Sequence, residues 1–430
     1  MVITQTDAYD GIRRDVLGRI ERRRLRPEAD LDEVGREVTL AVDDFQRRAH
    51  LGDEVPLRDP VAMGERILRS ITDFGPLTDL LARRDVEEIF IEGARVSYLD
   101  GSGRLRGLVA PTSEEENRQI LDRLLAATDR QLSTKSPLVQ ARVLQGSARL
   151  TAAIPPIADQ LSATLRRYTV RNVTLDDLVR RESLTEPAAG FLRAVMQFRS
   201  RIAISGEPGA GKTTLAAALV AAGPTSHCVR CVEEIRELAV PVTHGSYFEV
   251  RSPSLDGSGE IDLRALVKFV LSMRPDRIVV GEVRGAEAFE LSRAVNAGCG
   301  FLCTVHANRA IDALHALVNA ALMAGENVTE HIVRKVFSES LDLVVHVDRD
   351  DVARGEAGAS TLRREVMEIT AVVPTLGRDF TVEPIFERAA LGAPLRWTGS
   401  IPGPLETRID RVMPVGITAR RILDGSVRYP

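Results

Sequence analysis

The stretch that decides the fold reads Ser205-Gly206-Glu207-Pro208-Gly209-Ala210-Gly211-Lys212-Thr213-Thr214. It fits the pattern G-x-x-x-x-G-K-[ST], with Gly206 and Gly211 as the spaced glycines. A short apolar run, residues 201–204, precedes it, and alanine- and leucine-rich residues 215–222 follow it. A strand, a glycine-rich loop and a helix in this order indicate a phosphate-binding loop.

The chemistry of a phosphate ligand accounts for these residue types. Glycine adopts the backbone angles that turn successive N–H groups toward one anion, and the N-terminus of a helix adds partial positive charge. The pattern predicts that Lys212 reaches the β- and γ-phosphates and that the Thr213 hydroxyl binds Mg²⁺. All residues from Gly206 to Thr214 are therefore predicted to bind ATP.

The composition is that of a soluble globular protein. The chain has 430 residues, of which 44% are hydrophobic and 27% are charged, and its formal net charge is −4. No apolar run approaches the roughly 18 residues of a membrane span. The first residues lack the basic and apolar regions of a signal peptide. We expect a cytoplasmic protein without a global positive field for nucleic acid, which reaches the membrane through partners.

The four cysteines allow two interpretations. Cys228 and Cys231 are three residues apart, and Cys299 and Cys303 are four apart, which is compatible with a zinc site. The first pair lies in a strand-like run, where residues three apart point to opposite faces of a sheet. We therefore interpret the cysteines as structural thiols.

The remaining sequence pattern predicts three regions. Residues 1–70 have apolar positions at helical spacing, which predicts a bundle of about three helices with a charged face for solvent or, alternatively, for docking. Residues 71–185 have strand-like alternation around one helical stretch, which predicts an α+β domain. Residues 186–430 contain the glycine-rich loop and a C-terminal β/α extension. The predicted fold class is α/β, a RecA-like P-loop NTPase domain preceded by the α+β domain and the bundle.

Acidic residues follow two strand-like runs downstream of the loop. Glu233, Glu234 and Glu237 follow the first run, and Glu282 follows the second. Ligands of parallel sheets bind beyond the carboxyl ends of the strands, so these carboxylates are expected near the phosphates and Mg²⁺. A glutamate in the position of Glu282 can also deprotonate the attacking water. The predicted metal ligands are Thr213, Glu234 and Glu282, and the three glutamates Glu233, Glu234 and Glu282 are candidate catalytic residues.

Four further candidates come from the end of one strand and from a neighbouring domain. His306 ends the strand-like run 301–305, and we predict that it senses the γ-phosphate rather than being an ordinary surface or core histidine. Arg149, Arg166 and Arg167 lie in strand-like runs of the α+β region. They are either exposed to solvent or, for at least one of them, in contact with a nucleotide phosphate.

Four segments together resemble the secretion-ATPase superfamily, the motors of type II and type IV secretion and of type IV pili. These segments match, in order, its Walker A, Asp box, Walker B and His box: residues 206–214, 232–238, 273–287 and 304–308. The resemblance covers about residues 60–390 and is nearest to the CpaF-like ATPases of tight-adherence (Tad/Flp) pili. The N-terminal helices agree with that branch.

The resemblance implies a hexameric ring that hydrolyses ATP with Mg²⁺. It implies phosphate and metal roles for Lys212 and Thr213, and the role of general base for Glu282. It also implies Asp-box roles for Glu233, Glu234 and Glu237, a His-box role for His306, and stabilisation of the transition state by Arg149, Arg166 and Arg167.

The chain departs from the superfamily pattern in the Asp box and in the loop. Glu234 stands where the superfamily usually has Asp, which leaves open which acid of the box matters most. Glu207 and Pro208 replace small residues of the loop, and Glu207 adds negative charge near the phosphates. The zinc-binding tetracysteine of some type II members has no counterpart in the sequence.

The function expected from these features is that of an ATPase motor. The ring would act on an inner-membrane platform protein to assemble or retract a Tad/Flp-type pilus, or to drive type II or IV secretion. One alternative is an ATPase for conjugation-type transfer of nucleic acid, against which the lack of a basic face argues. Another is a nucleotide-dependent switch with negligible turnover.

Overall fold

A computed structural model of the chain describes residues 5–52, 54–83, 85–101, 103–168, 173–240, 242–251, 253, 258–325, 327–350, 363–375 and 379–429. The chain divides into two compact units, Met1–Thr169 and Val170–Pro430. Within the described ranges, no helix has both the length and the apolar character needed to cross a membrane.

The first unit begins with three helices packed around a small apolar core. They are α1 (Gln5–Arg23), α2 (Leu31–His50) and α3 (Pro60–Thr72). The Asp59 side chain accepts the Ala62 N–H at the start of α3, and Pro60 fits the first turn because that turn needs no N–H from it. The predicted helical bundle is confirmed.

An antiparallel sheet with one main helix completes the first unit. Its elements are α4 (Thr78–Ala82), β1 (Val86–Glu92), β2 (Arg95–Asp100), β3 (Leu105–Gly107), α5 (Glu114–Leu125), β4 (Leu138–Val143), β5 (Ala148–Ala153) and β6 (Ser162–Arg167). The strand order is β3-β2-β1-β6-β5-β4. Ser113 caps α5 by accepting the Glu116 N–H, as its position before a run of three glutamates predicts.

A buried polar network joins the bundle to α5. The Tyr9 hydroxyl donates to the Glu116 carboxylate, and both residues are almost fully buried. Arg13 Nε donates to Ser70 Oγ at 3.0 Å, and Arg123 donates to the Ser70 carbonyl. Burial and the neighbouring Glu116 raise the pKa of the Tyr9 hydroxyl. Because separation would leave these groups without their partners, the bundle is fixed to the α+β part of the unit.

The second unit alternates strands and helices and ends in an antiparallel extension. Its elements are α6 (Leu175–Arg180), α7 (Glu186–Met196), β7 (Arg201–Ser205), α8 (Lys212–Ala221), β8 (Cys228–Glu233), β9 (His244–Glu249), α9 (Leu263–Leu271), β10 (Arg277–Val280), α10 (Glu287–Asn296), β11 (Gly300–Val305), α11 (Ala310–Leu322), α12 (Glu330–Ser340), β12 (Leu343–Asp350), β13 (Arg363–Val373), β14 (Thr381–Glu387), β15 (Arg396–Trp397), α13 (Gly403–Val412) and α14 (Ala419–Leu423).

One mixed sheet of nine strands organises this unit in the described residues, in the order β15-β14-β13-β12-β7-β11-β10-β8-β9. In this order, the six strands β12, β7, β11, β10, β8 and β9 pair in parallel. The strands β12, β13, β14 and β15 pair antiparallel. Every residue of β10 and β11 is buried, since helices cover both faces of the sheet. The predicted fold class is confirmed, with β7 at the centre of the sheet.

The cysteines lie in or beside the central strands. All four are free thiols, and Cys231, Cys299 and Cys303 are buried. Burial raises the pKa of the Cys303 thiol to about 12. These three thiols therefore act as small apolar side chains in the core.

Candidate nucleotide site

The glycine-rich loop joins β7 to α8 with three glycines in the left-handed region of backbone space. The φ angles are +154° at Gly206, +78° at Gly209 and +97° at Gly211. Residues with a side chain rarely adopt such angles, and the resulting turn lets successive N–H groups face one anion. The loop therefore has the conformation that a phosphate requires.

Gly206 also has no room for a side chain. A Cβ atom built on Gly206 would overlap the carbonyl oxygen of Val347 in β12 and would lie 3.3 Å from the carbonyl carbon. The neighbour is backbone held in the sheet, so it cannot rotate away. Both the φ angle and the packing require glycine at this position.

The Lys212 side chain lies against the backbone of the loop. It is almost buried, and Nζ donates to the carbonyl oxygens of Gly206 at 2.8 Å and Glu207 at 2.9 Å. Nζ also lies 3.1 Å from His306 Nδ1. The same His306 nitrogen lies 3.3 Å from the Gly206 carbonyl oxygen, so the ammonium group and the imidazole ring meet at one backbone oxygen.

Glu282 continues this chain of contacts. His306 Nε2 contacts one carboxylate oxygen of Glu282, and Arg284 donates to the other at 2.7 Å. This hydrogen bond raises the pKa of Arg284, whose Nη1 also lies 3.8 Å from a carboxylate oxygen of Glu234. A connected polar chain thus runs from Lys212 through His306 and Glu282 to Arg284 and Glu234.

Sheet order brings these side chains together. Glu282 follows β10 and His306 follows β11, and β11 lies between β10 and β7. The Val283 N–H donates to the Thr304 carbonyl at 2.8 Å, so the chain stays paired beyond the end of β10. Lys212, Glu282 and His306 therefore lie within contact distance of one another at this edge of the sheet.

Glu233 is buried and accepts hydrogen bonds from the backbone, unlike Glu234 and Glu282. It ends β8, is 4% exposed, and accepts the N–H groups of Glu237 and Leu238, each at 3.1 Å. Its stem lies over Gly281, where a Cβ atom would come within 2.6 Å of Glu233 Cγ. Burial raises the pKa of the Glu233 carboxyl to about 7. In this arrangement Glu233 shapes the loop that carries Glu234.

The raised pKa of Glu233 predicts a stability that depends on pH. The folded chain keeps this proton up to a pH of about 7, whereas the unfolded chain releases it near 4.5, so stability falls as the pH rises through this window. One pKa unit corresponds to about 1.4 kcal/mol, which gives a loss of about 3 kcal/mol above the window. Glu233→Gln cannot ionise but keeps an oxygen acceptor, so the variant should gain about 2.5 kcal/mol relative to wild type between pH 5 and pH 8.

Thermal unfolding of both proteins at pH 5 and pH 8 measures this effect. Glu339→Gln provides a matched control, because Glu339 is exposed on α12 and lies 3.9 Å from Lys335. Its difference from wild type should be the same at both pH values. Parallel pH dependence of wild type and Glu233→Gln would show that Glu233 does not titrate in this window.

The remaining loop residues differ in their exposure to solvent. Thr213 and Thr214 lie half-buried in the first turn of α8, whereas Glu207 and Pro208 are exposed. Ala210 is buried in the core below the loop. The exposed position of Glu207 keeps its charge in contact with solvent, which weakens its repulsion of a bound phosphate.

The arginines predicted in the α+β region occupy two faces of one sheet. Arg142 faces Arg149, and Arg149 faces Arg166, across neighbouring strands β4, β5 and β6. Directly opposite residues of an antiparallel sheet share a face, so these three form a row. Arg167 follows Arg166 and lies on the other face, where it donates to the Arg83 carbonyl. The structure therefore groups Arg149 with Arg166 and Arg142, and separates Arg167 from them.

Three residues near the site were not predicted from the sequence. Glu287 is buried at the start of α10 and accepts the N–H groups of Arg284 at 2.6 Å and Gly285 at 2.8 Å, which shapes the turn after Glu282. Arg349 and Arg364 lie beside the loop from β12 and β13. The only sequence signal for Glu287 is an acid at the first position of a helix, and the two arginines have none.

A family model decides the classification. The model described as Type II/IV secretion system protein matches residues 71–358, which is more than half of the chain. The chain belongs to this family. The matched region contains the loop, the acidic segments and His306.

Relatives of the chain in this secretion family include conjugation proteins. A protein of Mycobacterium tuberculosis named "Putative conjugal transfer protein" is 32% identical in an alignment 327 residues long, which covers 71% of this chain and 90% of that protein. The conjugal transfer protein TrbB of Rhizobium radiobacter is 31% identical over 58% of this chain and 74% of its own length. The X-ray structure of the Legionella pneumophila ATPase DotB is 16% identical, with a TM-score of 0.47 over 69% of this chain and 79% of that one.

Proposed function

We propose that this type II/IV secretion family member is an ATPase motor that forms a ring, and that it hydrolyses ATP with Mg²⁺. The observation that carries the proposal is the contact of Lys212 with His306 and of His306 with Glu282, beside a loop with three left-handed glycines. A cationic group, a histidine and a carboxylate at a phosphate-binding loop are the groups that phosphoryl transfer to water needs.

The residues of the loop fit a polyphosphate. The three glycines turn N–H groups inward, and the donors on Lys212 Nζ, which now face two backbone carbonyls, would be drawn to the stronger negative charge of β- and γ-phosphates. Thr213, Glu282 and Glu234 are the proposed residues for Mg²⁺, which when bound neutralises phosphate charge.

Glu282 is the proposed general base. Its carboxylate is held from one side by His306 and from the other by Arg284, so its direction is set before substrate binds. The imidazole of His306 and the guanidinium of Arg284 would hold this carboxylate in place to accept a proton from water, which is the task of a general base. Glu233 is proposed to act through the loop that carries Glu234, and His306 to respond to the γ-phosphate.

The proposed place of action of this motor is the cytoplasmic face of the inner membrane. We propose that the ring is a hexamer that acts on a platform protein of a Tad/Flp-type pilus, or of a type II or IV secretion system. The N-terminal bundle and the motif set that resembles CpaF-like ATPases support this assignment. Arg149 and Arg166, which share one face of their sheet, remain in the proposal as arginines that stabilise the transition state, with Arg167 on the other face as the alternative.

A second candidate function is transfer of DNA in a conjugation-type system. The relatives of Mycobacterium tuberculosis and Rhizobium radiobacter carry names of conjugal transfer proteins, which favours this candidate. Binding of duplex and single-stranded DNA at several salt concentrations tests it, since phosphate contacts give a steep dependence on salt. Binding that is strong and salt-dependent would favour conjugation over the pilus assignment.

ATP turnover and molar mass, measured together, test the main proposal. Purified protein should release phosphate from ATP only with Mg²⁺, and the active species should have the mass of a hexamer, six times 47.1 kDa. Lys212→Ala should lose both nucleotide affinity and turnover, because it removes the cation at the loop. Nucleotide binding without turnover, in the presence of membranes as well as in buffer, would instead support a regulatory switch.

A further inference from the structure

Strand β12 runs alongside the phosphate-binding loop. It pairs in parallel with β7, and the last pair of this ladder is His346 with Ser205. Ser205 Oγ lies 3.0 Å from His346 Nδ1, and the next carbonyl, that of Val347, packs against Gly206. Since β7 then turns into the loop while β12 continues to Asp350, the end of β12 lies beside the loop.

Two arginines of β12 and β13 lie beside the loop glycines. A Cβ atom built on Gly209 would overlap Nη1 of Arg349 and lie 3.4 Å from Cζ, and one built on Gly211 would lie 3.8 Å from Cδ of Arg364. Arg349 and Arg364 face each other across the antiparallel ladder, so their side chains share one face of the hairpin. Both are half-buried, and the Nε atom of each is shielded from solvent.

Sheet order indicates which part of a nucleotide these arginines meet. Strand β7 lies between β11 on one side and β12 on the other. The polar chain of His306 and Glu282, which is the proposed place of the γ-phosphate, belongs to β11 and β10. A nucleotide with its terminal phosphate on that side extends its α-phosphate and ribose toward the other side, where Arg349 and Arg364 lie.

We propose that Arg349 and Arg364 bind the α-phosphate end of the nucleotide and set the affinity for ATP and ADP alike. This inference rests on the proposed function of the loop. A guanidinium group matches phosphate oxygens with two parallel N–H groups, and two such groups from adjacent strands can share one anion. The charge on the α-phosphate is the same before and during hydrolysis at the γ-phosphate, so the two arginines strengthen binding without changing the chemical step.

Binding of ADP and ATP to variants tests this role. Arg349→Ala and Arg364→Ala should each weaken binding of both nucleotides about 10- to 100-fold, and by the same factor for ADP and ATP. The KM for ATP should rise with kcat within about threefold of wild type. Arg363→Ala provides a matched control, because Arg363 precedes Arg364, is exposed, and points to the other face of β13.

The possible results separate this inference from the proposed function. Wild-type protein that binds no nucleotide would contradict the proposed function itself. Wild-type protein that binds and hydrolyses ATP, with variants that bind ADP as tightly as wild type, would contradict only the role of the arginines. Loss of ATP binding with ADP binding unchanged would place the arginines at the γ-phosphate and would also overturn the inference.

A folding control keeps the experiment decisive. Unfolding temperatures of the two alanine variants are compared with that of Arg363→Ala. If an alanine variant does not fold, Arg349→Gln and Arg364→Gln keep a long polar side chain and remove only the charge. Wild-type affinity for ADP in both glutamine variants would contradict the proposal.

Discussion

Glu282→Gln is expected to lower ATP turnover about 1,000-fold while ATP still binds. The amide keeps the size of the carboxylate but cannot take a proton from water, and removal of a general base costs about 10²- to 10⁴-fold in rate. A 1,000-fold loss corresponds to about 4 kcal/mol of transition-state free energy. Phosphate release under saturating ATP, with the ATP dissociation constant measured by equilibrium titration, gives both quantities.

Glu339→Gln again serves as the control for loss of one carboxylate, since Glu339 is half-exposed on α12 and pairs only loosely with Lys335. Its turnover should equal that of wild type. Wild-type turnover in Glu282→Gln itself would exclude Glu282 as the base and would direct attention to Glu234 and Glu233, the acids of the neighbouring strand end.

Gly206→Ala is expected to have the second large effect, on the loop itself. Alanine at a φ of +154° is strained, and its Cβ atom would overlap the Val347 carbonyl oxygen, so either the loop or β12 must move. We expect destabilisation by about 3 kcal/mol and loss of nucleotide binding, because the N–H groups of the loop would no longer converge. Thermal unfolding and titration with ADP measure the two effects separately.

Gly403→Ala is the matched control for this substitution. Gly403 begins α13, and a Cβ atom built there meets no atom within 4 Å. Alanine in a helix is favoured over glycine, so this variant should be as stable as wild type or slightly more stable. Equal unfolding temperatures and equal ADP affinities for Gly206→Ala and Gly403→Ala would contradict the close packing of Gly206 against β12.

The sequence pattern predicted those parts of the site that depend on residues close together in the chain. The glycine spacing predicted a loop with left-handed residues, and the apolar runs before Glu282 and His306 predicted strands that end in polar side chains. Strand β9 escaped prediction, because its half-exposed residues at the sheet edge show no apolar alternation. The use of Glu233 as a buried acceptor also escaped prediction, because its packing depends on Gly281, which follows another strand, β10.

The sequence by itself determined the α/β class, the phosphate-binding loop and the residues expected to do chemistry, since each depends on residue types within about ten positions of one another. Only the tertiary structure decided which of these residues meet. It joined Lys212, His306 and Glu282, placed Arg149 opposite Arg166, and placed Arg349 and Arg364 beside the loop. These outcomes follow from strand order and register, which are set by packing between separate segments of the chain and leave no periodic signal in the sequence.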